Sequence, residues 1–367
     1  TRWHSVTGVQ TCALPISVTL QPSGRSFPVQ RDEPILAAAL RAGIGLPYGC
    51  KDGACGSCKC RLIEGRVIHG AHQLSALSVA EEESGYALTC CATPQTDVTL
   101  EARTVAGLGE MPVRRMPARV SRIAKPSADV AIITLQLPAN EALRYHAGQF
   151  VDVLLRDGAR RSYSMANAPH TQGDKPWIEL HIRHLPGGLF SDQVFGAMKE
   201  KDILRLEGPF GSFFLREESP KPIVLLASGT GYAPIKALIE QLIFKRSDRP
   251  VVLYWGCRTR ADLYQHEAAL ELARELPQLR YVPVLSEALP SDHWTGRTGL
   301  VHEAVMADLP DLSGHQVYAC GTPAMVDAAR RDFVERCGLP QDEFHADAFL
   351  SAADKTTGTA ARPEGAA

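Results

Sequence analysis

Short runs of alternating apolar and polar residues open the chain. Ser17-Val-Thr-Leu20, a turn at Pro22-Ser-Gly24, and Phe27-Pro-Val29 read as two strands. Residues 35–42 read as a short helix, with Asp32 or Glu33 at its start and Gly43 past its end. A loop rich in Cys and Gly follows at 49–60, then strand-like 61–63 and 66–68, an acidic helix at 74–83, and a strand from Val98. These elements make one small mixed unit over 17–106, and the Gly-, Pro- and Met-bearing stretch 107–117 reads as a linker. From Ala118 the pattern turns to short alternating runs at 118–123, 129–136, 149–155, 177–183 and 203–206, broken by one helix at 189–198. That spacing predicts an antiparallel barrel or sandwich over 118–218. From Pro222 apolar strands alternate with helices: strands at 223–227, 251–255, 280–285 and 316–319, helices at 234–244, 262–276, 301–308 and 323–336. This predicts a doubly wound parallel sheet over 219–350. The tail 351–367 has no periodicity and is expected to be disordered.

Composition narrows the class. The 367 residues are 45% hydrophobic and 22% charged, which excludes a wholly disordered chain. Lys and Arg number 39 against 41 Asp and Glu, so no net field points to nucleic acid or an anionic membrane. No apolar run approaches the roughly 18–20 residues that span a bilayer. Ten cysteines are too few for a secreted disulfide scaffold, and they cluster, which points to a metal site in a reducing, cytoplasmic setting. Residues 1–16 fit neither a secretory signal nor the pattern that follows. They resemble a translated sequencing adapter and are expected to be a non-native or disordered leader.

The strongest chemical signal is Cys50-x4-Cys55-x2-Cys58 with Cys90 further on, the plant-type spacing for a [2Fe–2S] cluster. Three thiolates must converge from one short loop. Gly49, Gly53, Gly56, Ala54 and Ser57 permit that path and leave amides free to bond sulfur. A zinc site would want two short Cys pairs, and adjacent Cys90-Cys91 supplies a poor second one. Cys60 reads as a core thiol.

Two further motifs suit anionic nucleotides. In Arg161-Ser162-Tyr163-Ser164 a guanidinium can pair with a pyrophosphate, a phenol can stack on a ring, and a hydroxyl can reach a ring nitrogen. Gly187-Gly188-Leu189-Phe190-Ser191 opens a helix whose amides suit phosphate. Downstream, an apolar strand runs into Gly229-Thr230-Gly231 and a helix with Pro234 in its first turn. Two later strands end at Gly256-Cys-Arg258 and Cys320-Gly321-Thr-Pro323-Ala-Met325.

In this order the motifs resemble the ferredoxin-NADP reductase superfamily with a plant-type ferredoxin fused at the N-terminus, over about 17–349. Within it the chain resembles the CDP-6-deoxy-Δ3,4-glucoseen reductases and the reductase components of multicomponent oxygenases. The resemblance implies a multidomain chain: an α+β, β-grasp ferredoxin domain, an antiparallel β-barrel flavin domain and an α/β doubly wound parallel-sheet nucleotide domain. It implies that Arg161, Ser162, Tyr163, Ser164, Gly187, Gly188, Leu189 and Ser191 bind FAD. Gly229, Thr230, Gly231, Pro234, Gly256, Arg258, Cys320, Gly321, Pro323 and Met325 would bind NADH or NADPH. Ser164 and Cys320 would flank the transferring hydride, with Glu343 or Asp347 nearby, and Phe349 (or Phe344) would cover the flavin. Cys90 rather than Cys91 would be the fourth cluster ligand, because Gly85-Tyr-Ala-Leu-Thr-Cys90 resembles the ferredoxin run in which the ligand follows Leu-Thr.

The expected function is an NAD(P)H-dependent reductase passing electrons from NADH through FAD and [2Fe–2S] to a separate protein, a sugar-nucleotide dehydratase or an oxygenase. A non-catalytic redox-sensing module is the competing reading from another class. NADH is expected over NADPH, because Asp262 near Arg258 and Arg260 would repel a 2′-phosphate.

Overall fold

The computed structural model describes residues 15–109, 111–139 and 143–350, together with a two-residue strand at Thr359–Ala360. The first unit is a five-stranded sheet in the order Ser26–Val29, Ile16–Gln21, Val98–Glu101, Lys59–Glu64, Tyr86–Leu88. Ile16–Gln21 and Val98–Glu101 run parallel, and the other neighbours are antiparallel. Helix Ile35–Arg41 buries Ile35, Leu36, Ala38 and Ala39 against this sheet's core. Ile16 therefore belongs to the first strand; residues 1–14 of the expected leader lie outside the described residues. The expected helix at 74–83 is only Val79–Glu83. Ser78 starts it with a reciprocal Ser78–Glu81 cap, which fixes its first turn after the polar loop.

Six antiparallel strands form the second unit, in the order Arg160–Ser164, Phe150–Leu154, Ile203–Phe210, Arg114–Ala124, Val130–Gln136, Trp177–Arg183. Its two edge strands meet: Met165 bridges Leu180, and the Ala166 N–H donates to the Glu179 carbonyl at 2.8 Å. The sheet thus closes as a barrel around residues such as Val120, Ile133, Val151 and Leu180. Its first strand starts at Arg114, so residues 114–117 sit in the barrel and not in the linker.

The third unit is a wholly parallel sheet in the order Arg297–Thr298, Leu279–Leu285, Val251–Cys257, Ile223–Ser228, Gln316–Gly321, Phe344–Ala348. Helices Tyr232–Phe244, His266–Glu275, Val301–Asp308 and Pro323–Cys337 connect its strands. The order reverses between Ile223–Ser228 and Gln316–Gly321. Chain leaves those two strands in opposite directions and opens a crevice at their carboxyl ends. The edge strand Phe344–Ala348 was not foreseen, because its Phe-His-Ala-Asp-Ala sequence lacks an apolar run.

The units share packing. Val105 of the first unit and Leu108 of the expected linker join Phe150, Phe210 and Phe214 of the barrel in one apolar core. The buried Tyr48 and Ser212 exchange hydrogen bonds: Tyr48 N–H to Ser212 Oγ at 2.9 Å and Ser212 N–H to the Tyr48 carbonyl at 3.0 Å. In the tail expected to be disordered, Thr359–Ala360 pairs antiparallel with His72–Gln73 beside the cysteine loop; the residues around it lie outside those described. Among the described residues, no helix is long and apolar enough to cross a membrane.

Candidate functional site

The cysteine loop is shaped by close backbone contact. Gly53 and Gly56 adopt φ of +75° and +72°, and a Cβ on Gly53 would lie 2.8 Å from the Ala71 carbonyl. The Ala54 and Cys55 amides donate to Cys50 Sγ at 3.3 Å, and the Cys50 amide donates to Cys55 Sγ at 3.4 Å. The Cys90 thiol bonds those of Cys50 and Cys58, whereas the Cys91 thiol meets Cys90 and the Leu88 carbonyl. The side chains of Cys50, Cys55, Cys58 and Cys90 are neighbours, and amides donate to two of their sulfurs, Cys50 and Cys55, which suits an anionic iron–sulfur group, although among the described residues they are not drawn together at metal-ligating distances. Cys60 faces the core instead. It donates to the Ala87 carbonyl at 3.7 Å, and burial pushes its thiol up to about 12.

Strand Arg160–Ser164 carries the second motif. Along it, exposed and covered positions alternate, so Arg161 and Tyr163 share a side, Arg160 and Ser162 lie opposite, and the buried Ser164 ends the strand on the Ser162 side. Tyr163 tilts against Phe190 at 5.3 Å between centroids, and burial raises its phenol to about 12. Arg161 donates to the Arg160 carbonyl at 2.8 Å. Ser162 donates to Asp152 Oδ1 at 2.7 Å, on the side away from Arg161 and Tyr163, and so ties the strand to its neighbour.

The turn at 187–191 is more self-contained than its sequence suggested. The Gly187 amide donates to Asp192 Oδ2 at 3.0 Å, and the Ser191 hydroxyl is buried on Leu185 N and O at 3.2 and 3.0 Å. The Ser191 hydroxyl therefore closes its own turn. Gly188 caps helix Leu189–Phe195, and Leu189 lies exposed at its first position.

At the strand-order reversal, Gly229–Gly231 forms a tight turn leading into helix Tyr232–Phe244, which holds Pro234 in its first turn. A Cβ on Gly231 would overlap the Cys320 carbonyl, so the two motifs touch through backbone. Gly321, at φ +143°, abuts Ser228 in the same way. Cys320 is fully buried, and burial followed by nearby Asp347 keeps it a thiol. Pro323 opens the last long helix, but Met325 is turned into the core beside Val326 and Ala329. Gly256 gives way to the Val301 side chain. Arg258 is 62% exposed, 3.9 Å from Asp262; that carboxylate is taken up by Thr259 N at 2.9 Å, so it caps a turn.

Asp347 joins the three units. It sits opposite Cys320 in the sheet register, accepts from Ser164 Oγ at 3.4 Å, and lies 3.5 Å from where a Gly49 Cβ would be. Burial, then the charge of Cys50, raises its carboxyl to about 7, while the Ser164 bond opposes that rise. Glu343 is elsewhere, paired with Lys221 at 2.6 Å and with Gln316. Phe344 is locked in the core beneath Arg330, whereas half-buried Phe349 hangs from the Gly321 carbonyl at 2.8 Å. Sequence reasoning missed Arg183. Its guanidinium lies 2.9 Å from where a Gly229 Cβ would be, and it is steadied by Asp129 at 2.8 Å, so a cation faces the glycine turn from the barrel. A cavity of about 1740 Å³ opens between residues 55–60 of the cysteine loop, Ser212 and Phe213 of the barrel, and Asp327, Arg330 and Phe344 of the nucleotide unit.

Residues 18–95 match the 2Fe-2S iron-sulfur cluster binding domain, 117–215 the oxidoreductase FAD-binding domain, and 225–331 the oxidoreductase NAD-binding domain. Over 91% of this chain and 98% of the relative, it is 42% identical to the CDP-6-deoxy-L-threo-D-glycero-4-hexulose-3-dehydrase reductase of Yersinia pseudotuberculosis. The chain belongs to the iron–sulfur flavoprotein reductases. It is also 34% identical to a terephthalate 1,2-dioxygenase reductase component of Comamonas, over 91% of this chain and 97% of that one. Among solved structures, an Amycolatopsis cytochrome P450 reductase superposes with a TM-score of 0.74 at 34% identity, over 92% of this chain and 99% of that one.

As a member of this family the reductase uses a [2Fe–2S] cluster, FAD and a nicotinamide nucleotide. These groups supply the chemistry when bound: two electrons arrive together as a hydride and leave one at a time. Around them the chain offers a cysteine loop, a barrel strand and a sheet crevice, all within reach of one carboxyl group, Asp347.

Proposed function

We propose that electrons enter at the crevice beside Cys320, reach FAD on the Arg161–Ser164 side of the barrel, and leave through the cluster loop to a separate protein. The observation that carries this is the position of the loop. Gly49 approaches Asp347 and thereby Ser164, which sets the cluster loop beside the flavin strand, and Cys55, Ser57 and Cys58 line the cavity between the cluster unit and the nucleotide unit.

In this reading Cys50, Cys55, Cys58 and Cys90 hold the cluster. Arg161, Tyr163 and Ser164 hold FAD. Gly229, Thr230 and Gly231, faced by Arg183, receive the nucleotide pyrophosphate. Ser164 and Cys320 flank the hydride, and Phe349 covers the ring. The acceptor is a dehydratase acting on a CDP-linked deoxyhexulose, supported by the 42% identity to a reductase of that description. An oxygenase component is the second reading, supported by the 34% identity to the Comamonas reductase. The reductase prefers NADH, a reading supported by the Asp262 carboxylate 3.9 Å from the Arg258 guanidinium.

The test is reconstitution: holoenzyme, NADH, and either a CDP-deoxyhexulose dehydratase or an oxygenase component, with reduction of each followed optically. Turnover with the dehydratase supports the first reading. Turnover with the oxygenase alone replaces it.

A further inference from the structure

Lys51 directly follows the first cysteine of the loop, yet its side chain leaves the cluster unit and enters the barrel. Its backbone lies at φ +66°, a conformation that a lysine adopts only when its surroundings hold it there. Three partners do so. Nζ lies 3.2 Å from Asp152 Oδ2, 3.1 Å from the centroid of Phe210 and 5.7 Å from that of Phe150. An ammonium held against aromatic faces with a carboxylate at its tip has few alternative positions.

The partner side leads straight to the flavin strand. Asp152 is buried on strand Phe150–Leu154, opposite Ser162 in the register. It accepts from Ser162 Oγ at 2.7 Å and meets Arg160 at 3.6 Å. Ser162 lies between Arg161 and Tyr163. One side chain therefore ties the residue after Cys50 to the strand that carries Arg161, Tyr163 and Ser164. The Tyr48–Ser212 bonds fix the loop just upstream, but they bind backbone before the first ligand and leave the turn at 50–53 to be oriented.

We propose that Lys51 is a positioning residue that seats the cluster loop against the flavin strand for electron transfer between them. This rests on the flavin-to-cluster order stated above. The step moves one electron from reduced flavin to the oxidised cluster, forms and breaks no bond, and needs no reductant beyond NADH. Electron transfer slows as donor and acceptor move apart, so loosening a single tether between loop and flavin strand is enough to slow the step.

The experiment uses the holoenzyme with Lys51→Met, which keeps length and loses charge, Lys51→Arg, which keeps the charge, and Asp152→Asn on the barrel side. Each is mixed anaerobically with NADH, and flavin bleaching and cluster bleaching are followed separately. EPR of the dithionite-reduced proteins reports cluster content, and limited proteolysis within 107–113 reports seating of the unit without turnover. Lys51→Met is expected to bleach flavin at the wild-type rate, to reduce its cluster several-fold more slowly, and to be cleaved faster. Lys51→Arg should recover most of both losses, and Asp152→Asn should reproduce them. Wild-type cluster reduction and unchanged cleavage in both Lys51→Met and Asp152→Asn would overturn the proposal. If Lys51→Met fails to hold its cluster, Asp152→Asn, remote from the ligands, decides the matter by the same two readouts. Cluster bleaching before flavin in the wild type would instead overturn the order of electron flow.

Discussion

Towards the cluster unit the barrel presents an aromatic wall, Phe150, Phe210 and Phe214, with Lys51 over Phe210 and Arg216 over Phe214; towards the nucleotide sheet it presents buried charge. There Lys236 Nζ bonds Glu240 at 2.6 Å, the Ala166 carbonyl at 3.0 Å and Glu179 at 3.3 Å. His181 joins Glu179 at 3.0 Å to the Tyr264 hydroxyl at 2.7 Å. Burial opposes charge at all three sites. It keeps His181 below its usual range, but Glu179 and Glu240 hold Lys236 above its own, and His181 and Lys236 hold Glu179 down to about 2. The apolar wall gains from area and tolerates changes of pH. The charged contact is directional, so it fixes the angle between barrel and nucleotide sheet, on which alignment of Ser164 with Cys320 depends. Its cost is that no partner can be removed cheaply.

The largest stability difference should therefore come from the charged side. Lys236→Met strands Glu179 and Glu240 and should cost on the order of 3–5 kcal/mol, read as a fall in thermal midpoint. Phe210→Ala on the other side should cost about 3 kcal/mol by cavity formation, with little dependence on pH. Equal costs with equal pH profiles would erase the contrast.

A smaller effect sharpens it. The Glu179 carboxyl lies below its unfolded value of 4.5, so its contribution is complete above pH 4.5 and is lost as pH falls towards about 2. Glu179→Gln should flatten that acid limb in a pH series of unfolding midpoints, whereas Phe210→Ala should shift the whole curve and keep its shape. The smallest expected effect is at Arg258. Being 62% exposed, it should change kcat/KM for NADH little when replaced by alanine. A preference for NADPH of about tenfold (1.4 kcal/mol) or more in the wild type would reject the NADH assignment.

What could be read from the sequence was local. The cysteine spacing, the Arg161–Ser164 run and the Gly229–Gly231 turn announce themselves because the chemistry needs those residues within a few positions of one another. The three units were legible from the change of period at Ala118 and again at Pro222. What escaped depends on pairing across the fold. Lys51 meets Asp152 across 101 positions, and Arg183 closes an otherwise ordinary alternating strand. The strand holding Asp347 was hidden because a parallel edge strand needs only backbone bonds and one packed face. Ser191 and Met325 show the converse: they sit in recognisable motifs, yet one holds a turn and the other fills the core.

The central claim is that electrons leave through the cluster, and serine replacement of the two adjacent cysteines tests it most directly. Cys90→Ser and Cys91→Ser holoenzymes are given NADH with ferricyanide, which flavin can reduce, and with cytochrome c, and their reduced EPR spectra are recorded. The account predicts that Cys90→Ser loses the cluster signal and most cytochrome c reduction but keeps ferricyanide reduction, while Cys91→Ser keeps all three. Undiminished cytochrome c reduction by a Cys90→Ser protein that lacks its cluster would contradict it.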